Sequence, residues 1–151
     1  MSRLSIQSSE TQSAETENTS IPAALLRGDA APEPRTLIDI VHATAQQFPD
    51  APAIDDGTHA LTYAELLEAM DDGVEWLRKS GVRAGDRVGI RMPSGSYSLY
   101  AAILSVLAAG AAYVPVDADD PDERADLVFG EAEVSAIITG TGIRGADKTR
   151  P

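Results

Sequence analysis

The chain contains no cysteine, so it has neither a disulfide framework nor a thiolate site, and its only imidazoles are His42 and His59. Structural zinc is thereby excluded. Aromatic residues are only 5% of the sequence although hydrophobic residues reach 43%, a balance that suits an α/β interior built from Ala, Val, Leu and Ile. Cations are scarce as well. Twelve Lys and Arg stand against 24 Asp and Glu, a formal charge of -12, which opposes nucleic acid and anionic membrane surfaces because binding there exchanges protein cations for counterions. No apolar run approaches the roughly 20 residues needed to span a bilayer. The first thirty residues also lack the continuous apolar stretch of a cleavable signal, so the cytoplasm is the expected location. A length of 151 residues allows one domain.

What is present divides unevenly. Residues 1–34 are rich in Ser, Thr, Gln and Glu and punctuated by Pro22, Pro32 and Pro34, so they bury too little apolar surface to offset the entropy of ordering. They are expected to be a disordered leader, with Ile21–Leu26 (IPAALL) as its one apolar patch. Order is expected from 35 to 140, with 141–151 as a flexible tail. Thr36 is placed to N-cap a helix whose Leu37, Ile40, Val41, Thr44, Ala45 and Phe48 share one face, and Pro49 ends it. Residues 53–56 and 59–61 read as a hairpin about Gly57. Thr62 and Glu65 then form a T-x-x-E capping box with Leu61 and Leu66 as its hydrophobic staple, opening a helix that continues through Met70, Val74 and Leu77 to Gly81.

The second half alternates. Residues 86–92 read as a strand, Ser96 to Ala109 as a helix stopped by Gly110, and Ala112 to Val116 as a strand in which Pro115 needs an edge or end position. Tyr97, Tyr100, Ile103, Leu104 and Leu107 line one side of that helix, which is apolar nearly all round and so expected to be buried on more than one face. Asp120 is expected to N-cap the next helix, with Pro121 at N1 and Glu123 at N3, before a last strand from Val134 to Ile138. Strands alternating with helices of this length imply an α/β fold with crossover helices on a mainly parallel sheet.

Each motif with chemical potential also has an ordinary explanation. Thr139–Gly145 (TGTGIRG) contains G-x-G-x-x-G after a strand, but no helix opens within it and no acid follows about 20 residues later, so a dinucleotide site is rejected. The acids Asp55, Asp56, Asp71, Asp72 and those between Asp117 and Glu123 lack the alternating ligands and glycine turn of a calcium loop, and capping and solubility account for them. His42 falls on a polar helix face and His59 in a turn. The serines from Ser94 to Ser98 read as helix caps, since G-x-S-x-G is absent. Trp76 and Tyr63 are assigned to helix packing rather than binding.

Two stretches carry a family resemblance. Leu61, Thr62, Tyr63, Glu65 and Leu66 are similar to an L-T-Y-x-E-L core, and Leu107, Ala109, Gly110, Ala112, Tyr113, Pro115 and Asp117 to an L-K-A-G-x-A-Y-x-P-x-D core, of the amino-acid adenylation domains of nonribosomal peptide synthetases. These domains belong to the AMP-dependent synthetase and ligase superfamily. Ala108 replaces the usual lysine, and Asp120 stands where an aromatic or aliphatic residue is common. The wording VDADDPDER resembles the polylysine-synthetase-like branch. The resemblance runs from about Arg35 to Gly140 and implies the first part of the large N-terminal subdomain of an adenylate-forming enzyme.

Such enzymes activate a carboxylic acid with Mg-ATP, release pyrophosphate and pass the acyl group to a carrier thiol. They use a lysine-ended phosphate loop, an adenine- and ribose-binding segment and a C-terminal lysine, none of which occurs in these 151 residues. No catalytic, nucleotide-binding or metal residue is therefore carried over, the substrate-binding residues stay unassigned, and Mg-ATP is implied only for a full-length enzyme. Three readings follow. The favoured one is the N-terminal portion of an amino-acid-activating ligase, inactive as this piece, whose partners are the remainder of an adenylation domain and a peptidyl carrier domain. The second is a self-standing α/β interaction module on that scaffold. The weakest is a small Rossmann-like nucleotide-binding protein.

Overall fold

The computed structural model describes residues 35–145. The expected leader 1–34, including Ile21–Leu26, and positions 146–151 lie outside the described residues. The described chain runs α1 (Leu37–Gln47), β1 (Pro52–Asp55), β2 (Ala60–Thr62), α2 (Tyr63–Lys79), β3 (Arg87–Met92), α3 (Tyr97–Ala108), β4 (Ala112–Asp117), α4 (Asp122–Glu131), β5 (Ala136–Thr139) and β6 (Gly142–Gly145).

Both early helices begin as their local sequence dictates. At α1 the Thr36 hydroxyl accepts from the Asp39 N–H at 3.1 Å, and the Asp39 carboxylate accepts from the Thr36 N–H at 2.8 Å. At α2 the Thr62 hydroxyl accepts from the Glu65 N–H at 3.3 Å and Glu65 Oε2 accepts from the Thr62 N–H at 2.8 Å. Each box satisfies two helix-end donors that would otherwise have only water. Leu61 packs against the cluster that holds Leu66, as a hydrophobic staple requires.

The main sheet has the order β4-β3-β5-β6. Its first three strands are parallel, with Val88 opposite both Tyr113 and Ala136, whereas β6 returns antiparallel to β5. Side-chain alternation then builds two interiors. Val88, Ile90 and Met92 of β3 and Ala136 and Ile138 of β5 face α2 and α3, where they meet Leu77, Ala102 and Val106. Ile137 points the other way, into a cluster with Val116, Ala125, Phe129 and Val134 beneath α4. Gly89 is on this second face because the Phe129 ring lies against it: a β-carbon at Gly89 would stand 2.8 Å from Phe129 Cε1. A third cluster, around Leu66, Met70 and Leu104, receives α1 and the β1–β2 hairpin.

Pro115 lies in β4, at the sheet edge, where its missing N–H interrupts no ladder. Helix α3 serves two clusters, as an all-apolar helix should, but not through the expected side. Its buried residues are Ala102, Leu104, Ser105 and Val106, and Tyr100 is 46% exposed. Small residues take the inner positions because α2 crosses there through Gly73, whose absent β-carbon would stand 2.3 Å from Ser105 Oγ.

Three boundaries differ from the sequence expectation. Asp120 does not cap α4: Pro121 is the N-cap, with no side-chain capping bond. The Asp120 carboxylate instead accepts from Arg124 Nε at 3.1 Å, and its carbonyl accepts from Arg91 Nη2 at 2.8 Å. Strand β5 starts at Ala136, not Val134, because Val134 is used in stopping α4, its N–H donating to the Phe129 carbonyl at 3.2 Å. Residues 142–145, expected in the flexible tail, form β6, and the Thr139 hydroxyl donates to the Gly142 carbonyl at 3.1 Å to close the hairpin.

Candidate functional site

In an open parallel sheet the carboxyl ends of the strands, where successive connections leave in opposite directions, are the usual place for a site. Here β3 is flanked by β4 on one side and β5 on the other, so that position lies at the ends of these strands. The side chains gathered there are Arg91, Ser94, Asp117, Asp120 and Asp122, all from the end of a strand or the residues just after it.

Their bonds join loops to one another. Asp117 Oδ2 accepts from both the N–H and the hydroxyl of Ser94, and Oδ1 accepts from the Asp119 N–H at 2.9 Å. The Ser94 hydroxyl, followed by the Asp119 N–H, lowers the Asp117 pKa below the ordinary carboxylate value. Arg91 Nη1 meets Asp122 Oδ1 at 2.6 Å while its Nη2 donates to the Asp120 carbonyl. Nearby, Asp56 accepts N–H bonds from Tyr97 at 3.0 Å, His59 at 2.8 Å and Thr58 at 2.9 Å. These bonds, led by that from Tyr97, lower its pKa to about 2. They tie the hairpin to the first turn of α3, a role the sequence did not reveal because the partners are 41 positions apart.

This arrangement ties loops to one another. The Ser94 hydroxyl donates its hydrogen bond to the Asp117 carboxylate and not to an imidazole. His59 is exposed and tilted against the Tyr97 ring at 5.1 Å between centroids, and His42 is exposed on α1. Ser96 caps α3 by accepting from the Leu99 N–H at 3.3 Å. The G-x-G-x-x-G stretch is a hairpin with no helix opening inside it. Trp76 departs from its expected packing role: it is 55% exposed and lines an open groove with Gly73 and Ser105.

Triphosphate needs converging cations; among the described residues Lys79, Arg87, Arg91 and Arg124 are each paired with an acid. Among the described residues no three His, Asp or Glu side chains converge as metal ligands. No described helix is long and apolar enough to cross a membrane.

Comparison with known proteins places this geometry. The profile described as AMP-binding enzyme matches residues 41–151. The phenyloxazoline synthase MbtB of Mycobacterium tuberculosis is 36% identical over 121 residues, which is 80% of this chain and 8% of that protein. Surfactin synthase subunit 1 of Bacillus subtilis is 33% identical over 80% of this chain and 3% of its own length. The chain thus spans less than a tenth of these curated relatives. Among solved structures, the N-terminal subdomain of Klebsiella oxytoca NpsA superimposes with a TM-score of 0.64 at 28% identity, covering 70% of this chain and 28% of that one. Holo-AB3403, a four-domain nonribosomal peptide synthetase bound to AMP and glycine, gives 0.64 at 35% identity over 70% of this chain and 8% of its own.

Proposed function

The chain belongs to the AMP-binding enzyme family, similar over residues 41–151 to the N-terminal part of amino-acid adenylation domains, and from that premise we propose that it is the N-terminal portion of an ATP-dependent amino-acid-activating ligase. The reaction it serves joins an amino-acid carboxylate to the α-phosphate of ATP, releasing pyrophosphate and leaving an acyl-adenylate. Its partners in this reading are the remainder of an adenylation domain, which supplies the nucleotide site, and a peptidyl carrier domain, which takes the acyl group. The observation that carries the proposal is the coincidence of the family match with a fold that aligns to an N-terminal subdomain. In this reading the described residues contribute scaffold: Arg91 is held by Asp122, and the Asp117 carboxylate is held by Ser94.

The test is amino-acid-dependent ATP–pyrophosphate exchange. The 151-residue chain alone is expected to give none above background, and clear exchange would refute the scaffold role. Residues 35–140 are then grafted in place of the matching segment of the surfactin synthase subunit 1 adenylation domain. Retained exchange in the chimaera supports the proposal. A folded chimaera without exchange overturns it in favour of a self-standing interaction module.

A further inference from the structure

We draw no further inference here: the strongest candidate, the exposed apolar patch of Leu37, Ile40 and Phe48 on α1 and its C-cap, carries none, because nothing in the structure shows what covers it and the chain spans only 28% of the subdomain to which it aligns.

Discussion

Replacing Gly110 tests whether one backbone position holds α3 against β4. Gly110 has φ +77°, where a β-carbon crowds the following carbonyl. Its N–H donates to the Leu107 carbonyl at 2.9 Å and the Ala111 N–H to the Val106 carbonyl at 3.0 Å, the paired bonds of a left-handed helix stop. Its own carbonyl accepts from the Gly85 N–H at 2.9 Å, which fixes the loop before β3. A β-carbon at this position would stand 3.1 Å from Ala84 Cβ, so strain is added to a contact that must give by a few tenths of an ångström. Gly110→Ala is expected to cost roughly 1–2 kcal/mol and Gly110→Val about 2–3 kcal/mol, the β-branch adding to the left-handed penalty. With a urea slope of about 1–2 kcal/mol per molar, the Val variant should lose on the order of 1–2 M in its unfolding midpoint. Gly140→Ala is the control, since its β-carbon meets nothing within 4 Å and its φ is not left-handed. Midpoints for Gly110→Val and Gly140→Ala that coincide with wild type would refute the reasoning.

Three further changes probe the other joints. Asp56 has a folded pKa of about 2 against an ordinary 3.8, so its contribution to stability is present above about pH 4 and lost as the pH falls through about 2. Urea midpoints from pH 6 to pH 2 should fall in that window for wild type and fall less for Asp56→Asn. Glu133 sits at φ +50° just after α4 and makes only a 3.9 Å exposed contact with Arg87, so Glu133→Gly should stabilise by about 0.5–1 kcal/mol, and a lower melting temperature would count against it. Gly89→Val drives a side chain into the Phe129 ring and should cost about 1–3 kcal/mol by overpacking, partly recovered in the double variant with Phe129→Leu; additive losses would argue against direct contact.

Elements whose determinants lie within a few residues were legible in the sequence. The box at Thr62 and Glu65 needs only four positions, and the helix found there begins at Tyr63. Pro115 could be assigned to an edge or a strand end because it lacks a donor wherever it sits, and β4 is an edge strand. Elements that failed have distant determinants. Asp120 looked like a cap until Arg91, 29 positions away, took its carbonyl and Arg124 its carboxylate. The strand β6 exists because Ala136 and its neighbours offer a free ladder edge to Gly145 and its neighbours, which glycine-rich composition concealed. The crossing of α2 and α3 was hidden for a related reason. Periodicity marks Gly73 as an ordinary helix position, and only the approach of Ser105 of α3 shows why no side chain fits there.

The acids explain why loops that look like sites behave as joints. With 24 carboxylates and 12 cations, the sequence cannot pair its acids by charge alone. The structure uses backbone donors instead: Asp39, Asp56, Glu65, Asp86 and Asp117 each accept at least one N–H bond from a helix end or turn. A carboxylate is suited to this because it offers two oxygens and favours the partial positive charge at a helix N-terminus. Such bonds order the connections between elements and occupy the oxygens that a metal or substrate would need. Asp72 does not follow the pattern. It lies in the middle of a helix, where every nearby N–H is already committed to the helix. Among the described residues Glu68 and Asp71 of the same helix likewise accept no backbone bond, so a mid-helix acid adds charge to the surface and not a joint between elements.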